Sequence, residues 1–350
     1  AEDPQERVEQ LLIAHGQVYA EPLTIWLTRL HVTLAWAGHV HLRQIGLHVF
    51  RGIDAFWTKF LSDFERQGHL SGIEPSLVVP WLLGPVERCT IISRLACGDD
   101  DPRRPSLAEV AKHSAAALFQ LWGRPSGSAS YGDSSLADRL LKEMPAVSGN
   151  GDLDNAAKSA RNNPREQKAS ITRAAKALCS QHGYEAANVR DIAARAGVST
   201  ATLYSHFADK TNLFCSALEA EFAQHGDYRA GAGPVALDAA LMQIAARAAS
   251  PDWIWIHNVL MASTISDDPR VVAIGRKSRD TAEDFLAGTF AAKPSALTLN
   301  MLLGAIERSG VLALILFGAA AVDLPALARL AAFTARCYEA QDTAPASIPS

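Results

Sequence analysis

Residues 183–214 read GYEAANVRDIAARAGVSTATLYSHFADKTNLF. Gly183 closes a preceding helix in which Ile171, Ala174, Ala175 and Leu178 recur at i, i+3, i+4 and i+7, one buried stripe. Asn188 is placed to cap a second helix, with Asp191 near its positive end and Val189, Ile192, Ala193 and Ala196 as its stripe. Gly197 makes a tight turn, and Ser199 caps a third helix with Leu203 and Phe207 inward. Asp209 caps a fourth, with Leu213, Phe214 and Ala217 inward. Two short helices joined by a glycine-containing turn form a helix-turn-helix, and the second of them can lie in the major groove with its early residues at base edges. Here those residues are Thr200, Ala201, Thr202 and Ser205, small enough for close approach, while Tyr204, His206 and Lys210 are placed for phosphate oxygens.

Charge follows the same segment. The chain has a net charge of −4, but between Lys158 and Lys210 nine basic residues face four acids, so that window carries +5 and the remainder −9. A basic island in an acidic chain fits one nucleic-acid-binding module, although an ordinary solvated face has the same signature. Arg161, Arg165 and Lys168 are either linker charge or a DNA-contacting arm.

Outward from this segment the pattern is helical on both sides. Hydrophobic residues at 48% and charged residues at 20% describe a globular chain, and scarce β-branched runs favour helix. The expected fold class is all-α, with the helix-turn-helix domain between two helical bundles. The expected boundaries are a bundle at 1–123, a Gly/Ser-rich flexible linker at 124–164, the helix-turn-helix at 165–225, a second bundle at 226–342, and a tail at 343–350. Within the linker a short amphipathic stretch from Leu136 to Met144 can be helical. Ser106 to Glu109 form a capping box. The two bundles share an outline of two medium helices, a long one, an apolar one and a closing one. That is a repeat resting on element order alone, with no evident sequence identity behind it.

The run VRDIAARAGVS and the spaced signature Tyr204-x-His206-Phe207-x-x-Lys210-x-x-Leu213 resemble the DNA-binding domain of the TetR family over about Glu166 to Phe214. The resemblance implies that Ser199, Thr202, Tyr204, His206 and Lys210 grip the DNA backbone while Thr200, Ala201 and Ser205 face bases. The pattern departs at Thr200, where many relatives carry lysine, which leaves no long basic side chain there to reach guanine. By resemblance the second bundle is an effector-binding and dimerisation domain, and the first is similar to such a domain without its DNA-binding half. The implied protein is a tandem, fused regulator whose first head lies outside this sequence. Trp253, Trp255, His257, Met261 and Phe285 are the candidate lining of an effector pocket, or simply core.

These readings make the chain a transcriptional regulator, a repressor released by a small hydrophobic or aromatic effector. Its partners would be double-stranded operator DNA and either an intrachain pseudo-dimer of the two bundles or a homodimer. The alternative is a helical assembly protein with a degenerate head. The five cysteines form no CxxC or metal pattern and read as reduced core residues of a cytoplasmic protein, and His39 and His41 have no further ligands in register. No cofactor, metal or catalytic constellation is expected. The longest apolar run, Val311 to Val322, is shorter than the roughly 20 residues a membrane span needs and reads as a buried helix.

Overall fold

The computed structural model describes residues 3–37, 39–98, 101, 103–123, 163–225, 235–248, 250, 254–262, 267–314 and 322–342. The expected linker, its Leu136 to Met144 stretch and the tail lie outside the described residues, apart from Asn163 and Pro164. Among the described residues all regular structure is helical.

The first half comprises α1 (Pro4–Ala20), α2 (Pro22–Trp36), α3 (Val40–Arg66), α4 (Pro75–Glu87), a π-helical turn (Arg88–Ile92), α5 (Ser93–Cys97) and α6 (Leu107–Trp122). The head comprises α7 (Pro164–Ala186), α8 (Val189–Ala196), α9 (Thr200–His206) and α10 (Lys210–His225). The second half comprises α11 (Leu237–Ala248), α12 (Ile254–Leu260), α13 (Pro269–Ala287), α14 (Ala296–Ile306), a second π turn (Glu307–Leu312) and α15 (Leu324–Asp342). Local chemistry sets the ends. Ser106 and Glu109 form the capping box of α6, and Ser295 caps α14 through the Thr298 amide. Asn163 caps α7 and Pro164 occupies its first turn, so these two residues belong to the head and not to the linker.

The two halves are joined by their cores. Helices α4, α6, α14 and α15 pack against one another as a four-helix bundle, closest between α4 and α14. One hydrophobic cluster runs through both halves, and within it Trp122 stacks on Phe333 at 5.9 Å while Trp81 meets Trp122 edge-on at 5.5 Å.

At the centre the packing is reciprocal. Residues 82–88 read LLGPVER and residues 302–308 read LLGAIER, 220 positions apart. Gly84 and Gly304 lie backbone against backbone: a Cβ on Gly304 would stand 2.4 Å from the Pro85 nitrogen, and one on Gly84 2.4 Å from the Ala305 nitrogen. Beyond the glycines, Arg88 donates to Glu307 (3.0 Å) and Glu283 (2.8 Å). Arg308 donates to Glu87 (3.2 Å) and Asp54 (2.6 Å). Each arginine of one half is thus held by two carboxylates of the other. Both π turns begin at these Glu-Arg pairs and touch one another.

The repeat therefore has residue-level content, which corrects the expectation of element order alone. Residues 8–58 align without a gap on 237–287, 229 positions apart, with Leu12, Pro22, Ile25, Trp26, Ile45, Gly46 and Phe56 identical to Leu241, Pro251, Ile254, Trp255, Ile274, Gly275 and Phe285. The same register sets Asp54 against Glu283, the outer carboxylates of the two arginine clusters. The change of register, from 229 to 220, falls between Thr58 of α3 and Leu82 of α4 and hides the repeat from a single ungapped comparison.

Candidate nucleic-acid interface

The head is built on its own core. Ile171, Ala175, Ile192, Leu203, Phe207, Leu213 and Phe214 are buried together. Asn188 accepts from the Asp191 amide at 2.9 Å, Ser199 from the Thr202 amide at 3.0 Å, and Asp209 from the Asn212 amide at 2.6 Å, so each expected cap is formed. Gly197 sits at φ 71°, the left-handed conformation that ends α8 and turns the chain into α9. Ser170 fastens the turn by donating to the Ala196 carbonyl at 3.1 Å.

These constraints leave one side of α9 outward. Leu203 and Phe207 point inward, while Ser199, Thr200, Ala201, Tyr204 and Ser205 are exposed and Thr202 is half-buried. Tyr204 is 53% exposed, large and apolar-bodied, on a helix whose inward slots are already filled. The Thr202 hydroxyl pairs with Ser199 at 2.9 Å, and Ser205 donates to the Thr202 carbonyl at 2.7 Å. Arg165, Lys168, Arg190 and Arg195 are exposed on the same domain, and Lys168 also lies 5.5 Å over the Phe207 ring. Arg161 lies outside the described residues.

Two candidate phosphate ligands are engaged inside the protein. His206 pairs with Gln167 at 3.2 Å. Lys210 donates to the carbonyls of Tyr184 (2.5 Å) and Glu185 (3.2 Å) and lies 4.1 Å from the Tyr184 ring centre. Burial lowers the Lys210 pKa, partly offset by Glu185. Lys210 therefore closes the end of α7 after Gly183, where helical carbonyls lack amide partners. Replacing it with methionine should destabilise the head by about 1.5–3 kcal/mol, the range for hydrogen bonds to a charged group. Amide exchange across α7–α10 measures this; unchanged protection with weaker DNA binding would return Lys210 to a purely phosphate-facing role.

Among the described residues, the expected effector side chains Trp255, Met261 and Phe285 fall in three separate clusters. Trp253 lies outside the described residues. Trp255 is buried in the core shared with the head, its carbonyl accepting from the Cys179 thiol and its ring under Lys176 at 5.0 Å. Met261 packs with Ile25, Val32 and Trp36 between the two halves. Phe285 lies against the main bundle core, and His257 is half-buried on α12. Helix α12 is thus the joint on which the head sits, and Asn258 reinforces it by donating to the Cys179 carbonyl at 3.1 Å. Trp36 extends the joint into the first half, its Cβ lying where a side chain on Gly183 would be.

A cleft of about 750 Å³ opens elsewhere, between α3 and α4 of the first half and the π turn and α15 of the second. Leu47, Leu77 and Leu330 form apolar wall, and Arg43, Arg308 and Arg329 supply cationic groups. No periodicity marked it, because its two sides come from segments more than 200 residues apart. All five cysteines are buried and unpaired, and among the described residues no three His, Cys, Asp or Glu side chains group as a metal site. No described helix is long and apolar enough to cross a membrane.

Residues 171–217 match the family described as bacterial regulatory proteins, tetR family. The chain is similar to HTH-type transcriptional repressor KstR of Mycobacterium tuberculosis (strain ATCC 25618 / H37Rv), 43% identical over 60 residues, 17% of this chain and 27% of that protein. The KstR proteins of Rhodococcus jostii (strain RHA1), 44% identical over 61 residues, and Mycolicibacterium smegmatis (strain ATCC 700084 / mc(2)155), 45% identical over 58, likewise match 17% of the chain. The chain spans less than a third of the length of these relatives, 27–29%.

Proposed function

We propose, from the premise that residues 171–217 form a DNA-binding domain of the tetR family, that this chain is a transcriptional regulator that binds operator DNA through α9 and represses until a small hydrophobic or aromatic effector binds. The observation that carries the reading is the outward face of α9, where Thr200, Ala201, Tyr204 and Ser205 are exposed while Leu203 and Phe207 anchor the helix. Thr200, Ala201 and Ser205 are the base-facing set. Ser199, Thr202 and Tyr204 supply hydroxyls to phosphates, with His206 and Lys210 beside them.

The effector seat is the cleft between the halves, in place of the dispersed Trp255, His257, Met261 and Phe285. Its volume, about 750 Å³, suits a small molecule, and apolar walls with a few polar groups are the usual lining of such sites. Arg308 is at once part of that lining and part of the arginine–carboxylate lock between the halves. A ligand preferring another spacing of the halves would move α12 and α2, the helices that carry the head, and so bias the head away from its DNA-bound pose.

Fluorescence anisotropy with duplex DNA from the protein's own upstream region tests both parts. Tyr204→Phe should weaken binding to all sequences alike by about five-fold, the loss of one hydrogen bond of about 1 kcal/mol. Thr200→Ala should instead change which operator is preferred. Affinity unmoved by either change would point to an assembly role. Linkage also requires operator DNA to weaken effector binding by the factor with which effector weakens operator binding.

A further inference from the structure

The repeat gives the cleft a counterpart that the chain itself covers. In the register of 229, Arg43, Leu47, Phe50 and Arg51, which line the cleft from α3, correspond to Val272, Arg276, Arg279 and Asp280 of α13. On α13 this wall lies under the end of α5 and the residues that follow it. A Cβ on Gly98 would stand 3.3 Å from the Val272 side chain, and Arg276 donates to the Cys97 carbonyl at 2.9 Å. Arg103 pairs with Asp280, and Asp101 with Arg279. Asp101 is 7% exposed, so the covered wall holds a buried carboxylate against its arginine. That carboxylate has no equivalent in the other half. Between Gly98 and the cap Ser106 the chain reads DDDPRRP, whereas between Gly318 and the cap Asp323 it reads AAAV, without an acid.

The cleft wall is also the more cationic of the two. Arg43 stands where the covered wall has Val272, Arg51 where it has Asp280, and Phe50 sets an aromatic ring in the place of Arg279. Arg308 is already held by Glu87 and Asp54, but among the described residues no carboxylate pairs with Arg43, Arg51 or Arg329. We infer that the cleft takes an apolar carboxylic acid in its anionic form. Its carboxylate meets the arginines for which the chain supplies no acid, and its body lies against Leu47, Phe50 and Leu330. Guanidinium groups suit a carboxylate because their paired donors match its two oxygens. This rests on the reading of the cleft as the effector seat and adds the charge of the effector. Arg43 donates to the Ala35 carbonyl at 3.0 Å and lies 4.8 Å from the Trp36 ring centre, so an anion drawn to it acts beside the residue set against Gly183 of the head.

Isothermal titration calorimetry at neutral pH, with the 350-residue chain, compares biphenyl-4-carboxylate with its neutral isostere biphenyl-4-carboxamide. The carboxylate should bind about ten-fold more tightly or better, the worth of one hydrogen bond between charged groups. Arg51→Asp installs the residue of the covered wall at an exposed position and should abolish that preference with Tm unmoved. Arg329→Ala, also exposed, is a second variant that should reduce it. Lys59→Ala removes a charge from the same helix outside the cleft lining and should leave it intact. Equal affinity for the two compounds, or binding of neither, overturns the inference. So does a preference that survives both arginine changes, or one that Lys59→Ala lowers as much as Arg51→Asp does, which would assign it to net charge. No DNA enters the readout. A carboxylate that binds through Arg51 yet leaves operator affinity unchanged therefore counts against the proposed release of the head and not against the class of ligand.

Discussion

Gly304→Ala should destabilise the body by about 3 kcal/mol, although alanine is the better helix former by about 1 kcal/mol. The new Cβ would stand 2.4 Å from the Pro85 nitrogen and 2.5 Å from the Gly84 carbonyl carbon, and these are backbone atoms with no rotamer to yield. The α4–α14 crossing must open, and the cluster shared by the halves must open with it. Gly52 provides the control. It lies on α3 with nothing within 4 Å of its would-be Cβ, so Gly52→Ala should stabilise by about 0.5–1 kcal/mol. Urea unfolding followed by circular dichroism reads both. Equal and favourable effects at the two positions would mean that the halves do not meet at the glycines.

The second large effect belongs to Arg308. Replacing it with methionine leaves Glu87 buried with its main cationic partner gone, a change expected to cost about 3–5 kcal/mol. The pH dependence follows from the two states of Glu87. In the native chain burial pushes its pKa up, but Arg308 and His15 together hold it below the ordinary glutamate value. Native Glu87 therefore contributes stability above the ordinary glutamate range, and that contribution fades as pH falls through the lowered value. Without Arg308 the burial effect dominates and the folded pKa rises, so the variant is helped by acid and harmed as pH increases. The stability gap between the two proteins should narrow on acidification and widen toward neutral pH. A gap independent of pH between 3 and 7 would show that Glu87 is not the group left stranded. Asp54, the other carboxylate on Arg308, carries a pKa raised chiefly by burial and should add to the same trend.

The head was legible residue by residue because every signal for it is local. Asn188, Ser199 and Asp209 act on amides three residues away, Gly197 on its own φ, and the inward stripes on one helical turn. Such interactions fix a segment before its surroundings are known, so the sequence alone determined the helix-turn-helix and the outward set on α9. The partners of Lys210 and His206 were beyond that reach, since 25 to 39 residues separate each pair. Only the tertiary structure decided how the halves pair. The LLGxxER stretches are unremarkable singly and acquire meaning when Gly84 meets Gly304 and each arginine meets the other half's carboxylates. The aromatic residues of α12 show the same division from the other side. The sequence marked Trp255 as pocket lining or core but could not say which, because an apolar side chain is buried equally well by a ligand or by a neighbouring domain, and here the neighbour is the head.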